Sequence, residues 1–228
     1  ESETHVRDAV VTVLQMQDEI AQQVAEALRV ELEHRTQTGN VSPEVLELYL
    51  KACSAGPQPS FHAAVRVIDL LERVVQQAPD FKLGPPRLAS AYLMVWFMPG
   101  AGKDVDYGTL ARKMVQRALH VAPDVAETHY VAARLAVAEG KYGEAATSLA
   151  EALRIAPTYA SAHDYLGMLQ LECGRPTEGR KRVEFAMRLD PDLEFGMLAL
   201  VKHLAVNGDD EAFEKLTQSP SSPQRVFT

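Results

Sequence analysis

Apolar residues along this chain recur at the three- and four-residue spacing that places them on one face of a helix. Between residues 13 and 32 they form one stripe, at Val13, Ile20, Val24, Leu28 and Leu32. The segment "SPEVLELYL" (42–50) opens a further helix, with Ser42 as the N-cap and Pro43 in the first turn. The pattern predicts an all-α fold that begins with an amphipathic helix.

A proline-containing motif repeats along the chain. It reads "QQAPDF" (76–81), "HVAPDV" (120–125), "RIAPTY" (154–159) and "RLDPDL" (188–193). The prolines are separated by 44, 34 and 34 residues. Proline cannot continue a helix, so each motif ends one helix and precedes the next. We expect the residues after the prolines to cap the following helices; they are Asp80, Asp124, Thr158 and Asp192.

Small residues recur inside the repeated units. We expect Ala133 to face Ala145 and Gly167 to face Gly179, because two helices approach closely only where side chains are small. Gly140 and Gly174 should form the turns between paired helices. The pair Pro85–Pro86 should delay the start of its helix.

These features resemble tetratricopeptide repeats, whose pattern is W-x2-L-G-x2-Y, then A-x3-F, then P, with a period of 34. The matching positions in three units are Leu88-Ala89, Tyr92, Ala111, Val115, Ala118; Ala132-Ala133, Ala145, Leu149, Ala152; and Leu166-Gly167, Gly179, Val183, Ala186. The resemblance implies an α-solenoid of helix-turn-helix units at about 43–81, 82–125, 126–159 and 160–193. A capping pair (194–217), an N-terminal helix and linker (1–41) and a flexible tail (218–228) complete the expected organisation.

Residues 17–28, "QDEIAQQVAEAL", carry a second resemblance. A helix of this kind followed by such repeats is similar to the C-terminal half of bacterial signalling proteins in which a TolB-like domain precedes the repeats. In those proteins the N-terminal effector is a nucleotide cyclase, a kinase or a winged-helix regulator. The resemblance implies a signalling or regulatory context with the effector upstream of Glu1.

Composition excludes several functions. The net charge of −8 over 228 residues disfavours nucleic-acid binding. Two isolated cysteines, Cys53 and Cys173, predict neither a zinc site nor a disulfide framework. The longest uncharged apolar run, 88–98, is too short to cross a membrane. We therefore expect no membrane insertion and a cytoplasmic location, or a periplasmic one if a membrane segment lies upstream.

Two motifs invite an enzymatic interpretation that their residues do not support. "FMPGAGKDVD" (97–106) lacks the first glycine and the final Ser/Thr of a phosphate-binding loop, and its upstream segment reads as helix. We expect an interhelical loop in which Asp106 or Thr109 caps the next helix. His129 and His163 occupy equivalent places in neighbouring units and should be packed or partly exposed rather than bind metal. No catalytic set is recognisable, so we expect no enzyme, cofactor or metal.

The first helices of the units should line a concave groove, as in other solenoids. We therefore predict a non-catalytic protein-interaction module that binds a peptide or partner helix in this groove. The alternative is a sensory domain that binds a ligand and regulates an upstream effector. We expect the N-terminal helix either to pack on the first repeat as a cap or to form a homodimer with another chain. The predicted partner-binding residues are Glu127, Tyr130, Arg134, Asp164, Met168, Leu171 and Lys202, with Ser90, Leu93, Phe195 and Leu198 on the same face.

Overall fold

The computed structural model describes residues 41–55, 61–98, 104–191, 193, 195–209 and 213–214, and all regular structure in these ranges is helical. The helices are α1 (Pro43–Ser54), α2 (Phe61–Gln77), α3 (Gly84–Trp96), α4 (Tyr107–Val121), α5 (Ala126–Ala138), α6 (Tyr142–Ile155), α7 (Ala160–Glu172), α8 (Pro176–Leu189) and α9 (Phe195–Asn207). The predicted helix at 13–32 and the tail at 218–228 lie outside the described residues.

The helices pack as consecutive hairpins, α1–α2, α3–α4, α5–α6 and α7–α8. The second helix of each hairpin also contacts the first helix of the next, and α9 packs on both α7 and α8. This order confirms the all-α helical-repeat fold. No helix among the described residues has both the length and the apolar character needed to cross a membrane.

Local signals set most helix ends. Ser42 Oγ accepts from the Val45 N–H at 3.4 Å, and Asp106 Oδ1 accepts from the Thr109 N–H at 3.0 Å, so both predicted caps are confirmed. Gly140 and Gly174 have φ of 73° and 78°, a conformation that side chains disfavour, and each ends the first helix of its hairpin.

Two predictions about helix starts are wrong. After the first three proline motifs the N-cap positions are Leu83, Val125 and Tyr159, none of which makes a side-chain cap, so Asp80, Asp124 and Thr158 lie in the preceding turns. Asp192, the fourth predicted cap, lies outside the described residues. Pro85 and Pro86 do not delay α3, which begins at Gly84. Prolines are tolerated there because N–H groups in a first turn have no partner within the helix.

A long loop connects α3 to α4. It accounts for the spacing of 44 residues between Pro79 and Pro123, where the later prolines are 34 residues apart. Its residues 99–103 lie outside the described residues. At its base, the Trp96 ring packs 5.3 Å from Phe97, and Arg112 lies over it at 5.4 Å. A Cβ built on Gly108 would lie 2.8 Å from Trp96, so the indole packs directly on the first turn of α4.

Two buried clusters make up the core. The larger runs from Val45 on α1 to Leu169 on α7, and the smaller joins α7, α8 and α9 around Val183 and Leu200. Met168 packs against both clusters. The two clusters therefore meet at α7.

Candidate functional site

The first helices of the hairpins, α3, α5 and α7, together with α9, share one side of the array, which we call the A-helix face. Arg134 lies at its centre. Its Nη1 donates to Ser90 Oγ on α3 at 2.9 Å, and its guanidinium lies over the rings of Tyr130 (5.7 Å) and Phe195 (5.8 Å). One side chain on α5 thus contacts both α3 and α9. Arg134 therefore links α3, α5 and α9 across the A-helix face.

Aromatic rings surround Arg134. Tyr130 makes edge-to-face contacts with Tyr159 at 5.6 Å and with Tyr165 at 5.9 Å, and Tyr165 makes another with Phe195 at 5.6 Å. Tyr130 is only 8% exposed, whereas Phe195 is 45% exposed. The cluster is therefore a packed floor with one ring open to solvent.

Glu127 lies at the α3 side of this floor. Its Oε1 is 3.4 Å from Arg87 Nη1, and this ion pair joins α3 to α5. Burial alone would lower the pKa of Arg87, but the neighbouring Glu127 carboxylate reverses the effect and the pKa is raised. Arg87 and Glu127 therefore neutralise each other.

The tyrosines of the face are neutral at physiological pH. Burial raises the pKa of Tyr130 to about 12, with the nearby Arg134 opposing the shift. Burial also raises the pKa of Tyr159, and Glu127 and Tyr130 add to the shift. These hydroxyls can donate hydrogen bonds but cannot act as bases near pH 7.

Asp164 lies inside the protein, with 1% of its surface exposed. Its Oδ1 accepts from the Gly196 N–H at 2.9 Å in the first turn of α9, whereas Oδ2 has no hydrogen-bond partner among the described residues. Burial raises the pKa of this carboxyl to about 6, although the N–H groups of Gly196 and Phe195 oppose the shift. Asp164 thus anchors α9, and its contact with a partner stays a prediction.

Two other predicted residues line one cavity. Leu171 on α7 and Lys202 on α9 meet at an open cavity of about 140 Å³, whose remaining walls are Glu172, Ala199, His203 and Val206. Val206 is 79% exposed, and Leu198 on the same helix is also exposed. Lys202 is therefore a cation on a largely apolar surface.

Six of the seven predicted partner-binding residues form two groups and one link, and the seventh, Asp164, is buried and contacts α9. Tyr130 is part of the aromatic floor, and Glu127 and Arg134 lie beside it on α5. Leu171 and Lys202 line the cavity between α7 and α9. Met168 is half-buried between the two core clusters. Leu93 is fully buried, so its predicted place on the face is wrong: it fills the core beneath α3.

Sequence reasoning missed Arg87, Tyr159 and Tyr165. The 34-residue register places Tyr130 and Asp164 at equivalent positions, and both are buried. Tyr165 follows Asp164 directly, yet its ring reaches the floor from α7. A ring at this position was visible in the sequence, but its direction depends on how α7 packs beside α5.

The two repeated histidines support the turns. His129 Nε2 lies 2.8 Å from the Pro123 carbonyl oxygen, and His163 Nε2 lies 2.8 Å from that of Pro157. In addition, Arg182 Nη1 lies 3.1 Å from His163 Nδ1, and burial lowers the pKa of this imidazole. In the described part of the chain, no group of three His, Cys, Asp or Glu is arranged to hold a metal ion.

Together, the hairpin order and the shared face of the first helices define an all-α helical-repeat fold. No protein-family model matches the chain, and no curated protein matches it.

Similar solved structures are nevertheless found. A crystal structure of MamA has a TM-score of 0.47 at 17% identity, over 68% of this chain and 86% of that one. Another crystal structure of MamA protein has a TM-score of 0.46 at 15% identity, over 75% and 85%. A third, MamA MSR-1 C2, has a TM-score of 0.39 at 22% identity, over 56% and 68%. Because these scores are low, the description of the fold rests on the helices themselves.

Proposed function

We propose that this chain is a non-catalytic protein-binding scaffold whose A-helix face takes a peptide or a partner helix. The observation that carries the proposal is the setting of Arg134. Its guanidinium is held by two aromatic rings and one hydroxyl on the A-helix face. A cation held in this way has lost much of its side-chain freedom before a ligand arrives, which lowers the entropic cost of binding.

Arg134 has no carboxylate partner in the part of the chain that the structure describes, and this indicates what a binding partner would offer. Arg87, one helix away, has Glu127 as its counter-ion, whereas no carboxylate among the described residues forms a salt bridge with Arg134. A guanidinium has five N–H donors, and its bond to Ser90 uses one of them. A carboxylate matches the remaining donors in geometry and charge. The favoured partner therefore presents an Asp, a Glu or a terminal carboxylate.

The apolar part of the face supports a macromolecular ligand. Phe195, Leu198 and Val206 are exposed along α9, and Lys202 lies among them. The cavity beside them, at about 140 Å³, is smaller than the roughly 300–1,000 Å³ typical of small-molecule sites. A peptide that lays apolar side chains along α9 and a carboxylate on Arg134 fits these dimensions better than a metabolite does.

The proposal extends to a bacterial signalling or regulatory protein as the context. Its support is the resemblance of residues 17–28 to the segment that precedes such repeats in those proteins. The chain's net charge of −8 would repel an acidic segment at long range. Selectivity for a carboxylate would then come from short-range contacts with Arg134 and Lys202.

The test begins with linear peptides selected from a random library on the full chain. Their affinities are then measured by fluorescence anisotropy for the wild type, Arg134→Gln and Lys202→Gln. We expect Arg134→Gln to weaken binding by about ten- to a hundredfold, the range for a lost charge-assisted hydrogen bond. Lys202→Gln should cost less, because its ammonium is exposed.

Lys113→Gln is the matched control, since Lys113 is an exposed cation on α4, away from the A-helix face. It should bind every selected peptide as the wild type does, and circular dichroism should show equal helicity in all variants. Equal affinity of Arg134→Gln and the wild type, or selected peptides without a carboxylate, would contradict the proposal.

A further inference from the structure

The first turn of α9 lies directly against Asp164 of α7. Asp164 Oδ1 accepts from the Gly196 N–H at 2.9 Å. A Cβ added to Gly196 would overlap this oxygen and would lie 2.8 Å from the Asp164 carbonyl oxygen. The backbone of α9 therefore comes this close to the carboxyl group because residue 196 is glycine, and the contact sets the distance between α7 and the start of α9.

The residues next to this contact belong to the aromatic floor around Arg134. Tyr165 follows Asp164 on α7. Phe195 precedes Gly196 on α9. The two rings make an edge-to-face contact at 5.6 Å, and Arg134 Cζ lies 5.8 Å from the centre of the Phe195 ring. A displacement of the first turn of α9 would therefore move the Phe195 ring relative to Arg134.

The charge on Asp164 affects this contact because the carboxyl group is buried. Removing an ionised carboxylate from water is costly, so burial favours the uncharged form. Burial raises the pKa of Asp164 from 3.8 to about 6, although the N–H groups of Gly196 and Phe195 oppose the shift. Since the folded-state pKa is the higher one, Asp164 stabilises the packed arrangement when protonated, and this contribution is lost as pH rises through 6.

The groups that face Asp164 among the described residues supply no cation to pair with it. Asp190, which follows α8, is a second carboxylate and raises the pKa of Asp164 further. Tyr130 on α5 is neutral, since burial raises its pKa to about 12. His163 precedes Asp164 on α7, but its imidazole contacts Arg182 on α8. The first turn of α9 therefore meets the carboxyl group with N–H groups alone.

We propose that Asp164 is a positioning residue of the Arg134 site. Its uncharged carboxyl holds the first turn of α9 so that the Phe195 ring lies on Arg134, and its ionisation loosens this turn and weakens the binding of a carboxylate ligand. In this role Asp164 acts through α9 without touching the ligand. The inference rests on the proposed function for the ligand alone, because the link from Asp164 to Arg134 exists with or without one.

The link is tested first without a ligand. The Nε–H NMR signal of Arg134, assigned with Arg134→Gln, is followed in the full chain between about pH 5 and pH 8. In the wild type its chemical shift should change with a midpoint near pH 6, because the position of the Phe195 ring acts on the guanidinium. Asp164→Asn cannot ionise and should remove this change.

His163→Gln is the matched control. It removes the neighbouring group that also titrates near neutral pH and leaves Asp164 in place, so it should keep the wild-type midpoint. Gly196→Ala tests the geometry independently of charge. Its added methyl group overlaps the Asp164 carboxyl and should shift the Arg134 signal at every pH.

Fluorescence anisotropy with a carboxylate-bearing peptide that lacks histidine then measures the effect on binding. Between about pH 5.5 and pH 7.5 the wild-type affinity should fall by about two- to fivefold, the range for one lost cation–aromatic contact. The affinity of Asp164→Asn should stay constant, because carboxylates with an ordinary pKa are ionised throughout this range.

Two results would overturn the link: a wild-type Arg134 signal that does not titrate near pH 6, or one that titrates equally in Asp164→Asn. Peptides that bind at Arg134 with an affinity independent of pH would overturn the proposal while leaving the proposed function intact. If no peptide binds but the signal titrates as expected, the proposed function fails and the positioning role of Asp164 is supported.

Discussion

The hairpins α5–α6 and α7–α8 solve the same packing problem with different residues. Where their helices cross, the first has Ala133 and Ala145, both fully buried, and the second has Gly167 and Gly179. A Cβ built on Gly179 would lie 2.8 Å from the Leu171 nitrogen and 2.9 Å from the Gly167 carbonyl oxygen. The alanine crossing accommodates two methyl groups, whereas the glycine crossing has no room for one.

The close approach continues into α9. A Cβ on Gly196 would lie 2.8 Å from both the Asp164 carbonyl oxygen and Val183 Cγ2. In the C-terminal part of the array, close backbone contacts and a buried carboxylate thus add to the side-chain packing around Val183 and Leu200. Backbone contacts cannot relax as side chains do, so the C-terminal part should tolerate substitution less well.

This difference divides the candidate site. Arg134 and Tyr130 are on α5, in the alanine-packed part. Phe195 and Lys202 are on α9, whose position depends on the glycine contacts and Asp164. The contact between Arg134 and Phe195 bridges the two parts, so a change that shifts α9 should alter the site without touching Arg134.

The largest expected effect comes from closing the space at the glycine crossing. Gly179→Ala should lower the free energy of unfolding by about 2–3 kcal/mol, because the added methyl meets backbone atoms of α7 that cannot move aside. Urea denaturation followed by circular dichroism measures the loss.

Gly143→Ala is the control for this substitution. Gly143 lies in the first turn of α6, and a Cβ there meets no atom within 4 Å. The variant should be as stable as the wild type or gain up to about 1 kcal/mol from helix propensity. Equal stability of the two alanine variants would remove the distinction between the crossings.

A smaller, pH-dependent effect is expected at Asp164. Since its pKa is raised to about 6 in the folded protein, the stability it contributes is present below pH 4 and lost as pH rises through 6. Asp164→Asn keeps an oxygen for the Gly196 N–H and cannot ionise. At pH 8 the variant should be more stable than the wild type by roughly 1–3 kcal/mol, and the difference should shrink towards pH 5.

Asp124 gives the opposite behaviour as a control. It pairs with Lys82 at 2.6 Å, and the hydrogen bond from Lys82 lowers the pKa of its carboxyl. Asp124→Asn should therefore lower the stability of the protein at neutral pH by only a few tenths of a kcal/mol, because both side chains are exposed.

The prediction for Asp164 would be contradicted by an Asp164→Asn variant that is less stable than the wild type at pH 8. That result would show that the ionised carboxylate holds α9.

The 34-residue period was sufficient to predict the fold, the turn glycines and the Gly167–Gly179 approach, because each follows from local sequence. Helix starts after the proline motifs were predicted too early. Asp124 and Thr158 are good caps in isolation, but the turn that follows each proline takes one residue more before the helix begins.

The register predicted which side of a helix a residue occupies but not its depth. Asp164 reads as a surface carboxylate, yet the Gly196 N–H, 32 residues away, keeps it in the interior. The contact of Arg134 with Phe195 was equally beyond the sequence, because it depends on how α5, α7 and α9 pack together.

The most direct test of the central claim is to locate the bound peptide. Titrating a selected carboxylate-bearing peptide into the wild-type protein, followed by backbone and Arg side-chain NMR signals, reports the contact surface. The account predicts that the largest shifts fall on Arg134 and on α5, α7 and α9. Shifts concentrated on α4 and α6, with the Arg134 signal unchanged, would contradict it.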